Sequence, residues 1–232
     1  MNKICKIFRE KDVGAIGIGA MIVFIAMILV AGIAASVLIQ TSSTIELQAM
    51  KTGQQTTREV SGGIQVYDIE GKINVSGGTK YDLKYLAIGV KARAGSGGMD
   101  LNNSFVIISD GSQKALLRYG GYNDADLYQA NPSGDVFDIL NSAQWNKTDR
   151  ETFGIAVIQD YDGSIKQTSP TMNRGDKAII FIRCEASLNG AFGREIPERT
   201  PVFGQVIPEV GSPGVIKFTT PMSYFDEIYD LQ

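Results

Sequence analysis

The sequence lacks histidine altogether and contains only two cysteines and one tryptophan in 232 residues. Histidine is the usual general base near neutral pH and a common ligand of transition metals. Its absence argues against Ser-His and Cys-His catalysis and against a zinc site. No other nucleophile stands beside an evident base, so we expect a protein that is not an enzyme.

The cysteines and the charge balance exclude two further classes. Cys5 and Cys184 lie on opposite sides of a long apolar run, which is unlike a disulfide framework. Cys184, within "AIIFIRCEA", is expected to be a small core residue. The 22 basic and 25 acidic residues give a net charge of -3 without basic clusters, so we expect no nucleic-acid partner.

What the chain does have is a charge-free run from Ala15 to Thr41. Its apolar part, Ala15 to Ile39, would form a helix of roughly 38 Å at about 1.5 Å per residue, enough to cross a hydrocarbon core of about 30 Å. The preceding fourteen residues carry four basic and two acidic side chains, a net charge of +2 that favours a cytoplasmic N-terminus. The run exceeds the about 7–15 residues of a secretory signal core.

The composition of this run favours helix association as well as membrane insertion. Apolar side chains surround the predicted helix, so lipid or other helices must cover it on all sides. Small residues allow close approach of helix backbones. We expect this role for Gly17, Gly19, Ala20, Ala31 and Ala35. Beyond Ile39 the residues become more polar, and "SGG" at 61–63 predicts the end of the helix.

The segment "GAIGIGAMIVFIAMILVAGIAASVLIQT" resembles the amino-terminal signature of archaellins, the archaeal flagellins, which are built like type IV pilins. "FGIAVIQD" and "PERTPVFGQVIPEVGSPGVIKFTTP" resemble later archaellin stretches. The resemblance implies that a prepilin-peptidase-like membrane aspartyl protease cuts between Gly14 and Ala15. Residues 1–14 would then be a leader, 15–62 the polymerisation helix and 63–232 the outer domain.

The same resemblance implies a homo-oligomeric helical filament outside the cell, used for swimming. The precursor would reside in the cytoplasmic membrane, and the partners would be the export and motor machinery of the cell envelope. Archaellins usually have basic residues immediately before the cut glycine, whereas Asp12 and Val13 stand here. Gly19 occupies the fifth mature position, where bacterial type IV pilins usually have Glu. An adhesion pilus subunit and a membrane-tethered enzyme or binding domain are the alternatives.

The remaining sequence predicts a β-rich domain. From Ile64 onward, eight segments alternate with a period of two and are separated by Gly, Asn, Asp and Pro. They predict an antiparallel sandwich or barrel-like extracellular domain, and with the helix an α+β fold. The stretch "YNDADLYQANPSGD" is interpreted as a solvated loop.

Two kinds of modification or ligand site are predicted in this domain. Asn74, Asn102 and Asn146 begin Asn-x-Ser/Thr sequons, and archaellins are commonly N-glycosylated. In "QDYDGS", Asp160 and Asp162 are spaced as at the start of a calcium loop, but the downstream Glu is missing. An Asp-Gly turn is the simpler interpretation and a structural Ca²⁺ site the alternative. We expect no other cofactor.

Overall fold

The computed structural model describes residues 2–76, 79–130, 132, 134, 137, 145, 147–185 and 190–232. Side chains are described from Ile16 onward within these ranges, apart from those of residues 74, 76 and 79–81. The chain divides into two compact units, Met1–Gln54 and Gln55–Gln232.

A single helix, α1 (Asn2–Ser61), contains residues 2–14 of the predicted leader and residues 15–61 of the predicted polymerisation segment. Hydroxyl groups within it bond back to the preceding turn: Thr41 Oγ1 donates to the Val37 carbonyl at 2.9 Å, and Thr44 Oγ1 donates to the Gln40 carbonyl at 2.8 Å. These bonds give the hydroxyl groups partners within the helix, which continues through the polar residues beyond Ile39. It ends where "SGG" predicts, and Gly63 has a φ of 146°.

Twelve strands follow in the described part of the chain, together with the 3₁₀ turns η1 (Leu101–Asn103) and η2 (Ala125–Leu127). The strands are β1 (Ile64–Ser76), β2 (Thr79–Ala92), β3 (Met99–Asp100), β4 (Phe105–Ser109), β5 (Lys114–Tyr119), β6 (Tyr128–Gln129), β7 (Thr152–Gln159), β8 (Thr171–Met172), β9 (Lys177–Arg183), β10 (Pro201–Ile207), β11 (Gly214–Thr219) and β12 (Ile228–Asp230).

Ten of these strands form one sheet in the order β11-β10-β4-β5-β7-β9-β2-β1-β12, with β6 beside β7. The pairings are antiparallel except β5 with β7 and β6 with β7, which are parallel. The sheet curls so that the start of β1 meets the segment before β11, where the Ile64 amide donates to the Ser212 carbonyl at 3.1 Å. The predicted α+β class is confirmed, and the eight predicted strands correspond to β1, β2, β4, β5, β7, β9, β10 and β11.

The curled sheet encloses a hydrophobic core and carries a second cluster on its outside. The enclosed core includes Phe153, Phe192 and Cys184. The predicted burial of Cys184 is confirmed. In the second cluster Leu127, Phe137 and Trp145 cover Ala87, Ala156, Ile179 and Phe181, which lie on β2, β7 and β9. Leu127 belongs to the stretch interpreted as a solvated loop, but it is only 3% exposed and packs on the sheet.

Candidate functional site

The first candidate site is the apolar part of α1. Every side chain from Ile16 to Ser61 is exposed in the single chain, including Phe24 at 63% and Leu29 at 62%. This 46-residue stretch is long and apolar enough to cross a membrane. Exposure of one large aliphatic side chain to water costs about 1.5–3 kcal/mol relative to burial. An external apolar partner, lipid or protein, must therefore cover the helix.

The predicted small residues lie mainly on one side of the helix. At about 100° per residue, Gly17, Ala20, Ala31 and Ala35 fall within an arc of roughly 60°, whereas Gly19 points away from it. Apart from its chain neighbours and the adjoining helical backbone, a Cβ atom at Gly17 or Gly19 would meet no atom of this chain within 4 Å. Packing within the chain therefore does not require glycine at either position, and the absence of a side chain there would permit close approach of another helix.

The second candidate site is a carboxylate cluster at one end of β7. Asp160 directly follows β7, Asp162 lies in the adjoining turn, and Asp176 directly precedes β9. One oxygen from each of the three carboxylates lies within 4.8 Å of the other two. Asp176 is buried, Asp160 half-buried and Asp162 exposed.

Hydrogen bonds fix the loop that holds these carboxylates. Asp160 Oδ1 accepts from the Gly163 amide at 2.8 Å, and its Oδ2 accepts from the Ile165 amide at 3.0 Å. Gly163 has a φ of 67°, a conformation that glycine adopts without strain. The predicted Asp-Gly turn is therefore present, and it also brings Asp160 toward Asp162.

The third carboxylate is held by its own turn. Asp176 Oδ2 accepts from the Asn173 amide at 2.7 Å, while the Asn173 side chain donates to Asp162 Oδ2 at 2.8 Å. Hydrogen bonding by Ser164 and then by Asn173 lowers the pKa of Asp162, which is therefore charged at neutral pH. Within the described residues, none of the three aspartates is in an ion pair. Hard oxygen ligands of this kind suit Ca²⁺.

Asp176 was missed in the sequence analysis because it lies outside the spacing of a contiguous calcium loop. Its turn, "NRGD", resembles many Asx and glycine turns, and the signal available was its position immediately before a strongly apolar strand. Antiparallel pairing of β7 with β9 places the end of one strand beside the start of the other, with Gln159 opposite Lys177. This long-range pairing brings Asp176 to the other two carboxylates.

The remaining predicted sites are described only in part. Gly14 and Ala15 lie within α1. Asn74 lies in β1, and Asn102 is half-buried in η1. Asn146 lies outside the described residues.

Comparison with known proteins identifies the family. The model of the archaeal-type flagellins matches residues 14–218 of this chain. The chain belongs to the archaeal-type flagellin family. Flagellin B3 of Thermococcus kodakarensis is 41% identical, over 96% of this chain and 98% of the relative. Flagellin B2 of Methanocaldococcus jannaschii is 43% identical, over 97% of this chain and 98% of the relative.

Solved structures agree with this flagellin fold. The crystal structure of the archaeal flagellin FlaB1 from Methanocaldococcus jannaschii matches with a TM-score of 0.60 at 29% identity, covering 74% of this chain and 97% of the other. A chain of the archaeal flagellum of Methanospirillum hungatei matches with a TM-score of 0.57 at 14% identity, covering 90% and 95%. This flagellin is accordingly a structural subunit of the archaeal flagellum, or archaellum, and not an enzyme, as the sequence predicted.

Proposed function

We propose that this flagellin is stored in the cytoplasmic membrane as a precursor, is cut between Gly14 and Ala15, and then polymerises through residues 15–62. These residues would form the interior of the swimming filament, and residues 63–232 would cover its outside. The observation that carries the proposal is the fully exposed apolar stretch of α1. A helix of this kind needs a non-aqueous environment both before and after assembly.

The exchange of lipid for neighbouring helices is energetically feasible. Lipid chains and aliphatic side chains are similarly apolar, so the transfer avoids the about 0.8 kcal/mol per CH₂ that exposure to water would cost. Close packing along the arc of Gly17, Ala20, Ala31 and Ala35 would then favour the helix bundle over the bilayer. Repeated contacts between non-identical surfaces generate an open helical polymer.

Cleavage after Gly14 would separate the charged leader from the helix. The leader's net charge of +2 favours its cytoplasmic location, the side on which the proposed membrane aspartyl protease would cut. Cleavage would remove these six charged side chains and leave the α-amino group of Ala15 as the one charge at the start of the apolar helix. The match to the family model begins at residue 14, which supports this position.

The cleavage step is tested by Gly14→Val with Gly14→Ala as the matched control. We expect the bulky valine to block the cut, so that uncut precursor accumulates in the membrane and filaments are absent. Alanine should preserve processing. N-terminal sequencing of sheared wild-type filaments should begin at Ala15. A wild-type start at Met1, or normal filaments from Gly14→Val, would contradict the assigned bond.

We further propose that Asp160, Asp162 and Asp176 hold a structural Ca²⁺ ion between β7 and β9. The uncompensated negative charge within the described residues supports a cation, and the filament role itself requires no cofactor. An ion at 100 times its dissociation constant would stabilise the fold by about 2.7 kcal/mol. At about 2–4 °C per kcal/mol for a domain of this size, the melting temperature would rise by roughly 5–11 °C.

The metal proposal is tested by thermal unfolding in Ca²⁺ and in a chelator. Asp176→Asn should abolish the Ca²⁺-dependent rise, while Asp126→Asn, on an exposed turn outside the cluster, should retain it. An unfolding temperature of the wild type that is the same in Ca²⁺ and chelator would reject the site.

N-glycosylation at Asn74, Asn102 and Asn146 is proposed as well, consistent with a surface-exposed filament. At the Asn102 sequon, the Ser104 hydroxyl donates to the Asp100 carbonyl at 3.2 Å and Ser104 is 1% exposed. A glycosylating enzyme that binds the Ser104 hydroxyl would therefore have to act before residues 100–104 fold. Mass spectrometry of peptides from sheared filaments tests occupancy at each site.

A further inference from the structure

Four neighbouring strands of the sheet, β11, β10, β4 and β5, present an apolar outer face. Along them, side chains alternate between the enclosed core and the outside. The outward apolar residues are Phe105, Ile107, Leu116, Phe203, Ile207 and Val215. Leu116 is 57% exposed and Val215 is 67% exposed. We call this surface the bare face.

Strand register places these residues in neighbouring rows of the same face, interspersed with polar side chains. Val215, Gln205, Ile107 and Leu116 are directly opposite one another across the four strands. The next row on the same face contains Lys217, Phe203, Ser109 and Lys114. Side chains in adjacent rows of one sheet face contact each other, so the apolar residues do not stand singly on the surface.

Elsewhere on the same sheet, side chains from other segments cover the outer face. On β7 and β9 the outward side chains are buried beneath Leu127, Phe137 and Trp145, and Phe181 there is fully buried. A contiguous exposed apolar patch on a folded domain usually marks a protein contact. Because flagellins accumulate at high density along one filament, a second copy is the partner that this face would meet.

The bare face is also cationic. Strands β4, β5, β10 and β11 contain no Asp or Glu, and Lys114 and Lys217 lie on either side of Phe203 in its row. Arg118 pairs with Glu151 at 3.5 Å, whereas neither lysine is in an ion pair with a described residue. A complementary surface would therefore combine apolar side chains with carboxylates.

The C-terminal segment from Met222 to Gln232 has this composition. It contains no Lys or Arg, and its three carboxylates are exposed beside Phe225, which is 75% exposed. The Tyr229 hydroxyl accepts hydrogen bonds from the amides of Phe225 and Asp226. Buried Tyr224 donates to the Ile196 carbonyl at 3.2 Å. The segment is thus held in a fixed conformation, which lowers the entropy cost of docking.

We propose that the bare face of one outer domain binds the C-terminal segment of a second copy. Phe225 would pack among the apolar residues, and Asp226 and Glu227 would approach Lys114 and Lys217. The two surfaces differ, so each copy could donate one and accept the other. This heterologous contact propagates along a filament.

Cross-linking in native filaments tests the contact directly. One strain would co-express two single-site variants, Leu116→Cys and Phe225→Cys, and intact filaments would be treated with a short thiol–thiol cross-linker. Cys184 is fully buried, so wild-type filaments serve as the blank. We expect covalent dimers from the mixture and none from either variant alone. Dimers from Leu116→Cys alone would overturn the proposal. The same holds if, in a second co-expression, Leu116→Cys cross-links to Met50→Cys while it fails to cross-link to Phe225→Cys.

Charge reversal gives an independent test that includes a rescue. Lys114→Glu combined with Lys217→Glu should abolish stable filaments while leaving the unfolding temperature of the domain unchanged. Addition of Asp226→Lys and Glu227→Lys to the same chain should restore stable filaments, because the two surfaces again carry opposite charges. Lys177 is an exposed lysine on β9, outside the bare face. Its variant Lys177→Glu is the control and should assemble into normal filaments. Failure of the rescue by a variant that unfolds at the wild-type temperature would overturn the proposal.

Discussion

The ion pair between Asp110 and Arg194 allows a quantitative test of what holds the outer domain together. The Asp110 side chain is completely buried after β4, and Arg194 approaches from the segment before β10. Asp110 Oδ2 accepts from Arg194 Nε at 3.0 Å and from Nη2 at 2.5 Å. Asp110 Oδ1 accepts from the amides of Ser112 at 2.9 Å and Gln113 at 2.7 Å. The pair therefore connects two segments that are distant in sequence.

Arg194→Gln should destabilise the domain by about 2–3 kcal/mol. It removes two hydrogen bonds to a charged group, each worth about 1.5–3 kcal/mol. We place the loss at or below the lower end of their sum because Arg194 is 42% exposed and solvent screens the interaction. At about 2–4 °C per kcal/mol, the melting temperature should fall by roughly 4–12 °C. Arg118→Gln is the matched control, since its pair with Glu151 is exposed and should contribute about 0–1 kcal/mol.

The pH dependence of the same pair has a defined sign. Burial alone would raise the pKa of Asp110, but the Gln113 amide, the Arg194 guanidinium and the Ser112 amide outweigh it and hold the pKa below its usual value of 3.8. A carboxyl with a lowered folded-state pKa contributes stability above pH 3.8, and this stability is lost as pH falls through the folded-state value. The difference in melting temperature between wild type and Asp110→Asn should therefore be constant at neutral pH and shrink only in strong acid.

Differential scanning calorimetry from neutral to acidic pH measures both effects. The reasoning would be refuted if Arg194→Gln lost no more stability than Arg118→Gln. It would also be refuted if the Asp110→Asn difference changed around neutral pH, where the carboxyl of Asp110 is fully charged.

Two further substitutions probe the sheet and the helix separately. Gly154 faces Phe181 across β7 and β9, and a Cβ atom there would lie 1.9 Å from the Phe181 ring, so Gly154→Ala should cost about 1–3 kcal/mol in thermal unfolding. Gly97→Ala is its control, because a Cβ at Gly97 meets no atom within 4 Å. In the helix, Ala31→Phe should overpack the bundle and abolish filaments seen by electron microscopy, whereas Ala31→Ser should retain them; filaments from Ala31→Phe would count against close helix packing.

The sequence predicted those parts of the fold whose local pattern agrees with the final structure. Long alternating segments such as β1 and β2 carry a period of two along most of their length, and the charge-free run predicted α1. The short strands β3, β6, β8 and β12 were not predicted, since two or three residues carry no periodic signal. Strand β6, for example, is defined by parallel pairing with β7 near Ile155.

The other structural features that the sequence did not predict depend on contacts between segments distant in the chain. Trp145 packs against Tyr85 at 4.4 Å and Phe181 at 5.4 Å between ring centroids, from a stretch in which the sequence predicted neither helix nor strand. Asp176 joins Asp160 and Asp162 only because β9 pairs with β7. Local sequence patterns do not indicate which distant strands pair. The sequence therefore predicted Asp160 and Asp162 as carboxylates of one site but not Asp176.

The distribution of buried residues separates folding from assembly. Among the residues whose side chains are described, every buried one lies at position 62 or beyond, and α1 contributes none. The core of the sheet therefore contains no described side chain of the helix, and burial of the helix requires a partner outside the chain. Substitutions at Gly154 or Arg194 should consequently change the unfolding temperature of the outer domain without affecting membrane insertion. Substitutions at Ala31 should change polymerisation while the outer domain unfolds as in the wild type, so the two measurements assign each defect to one unit.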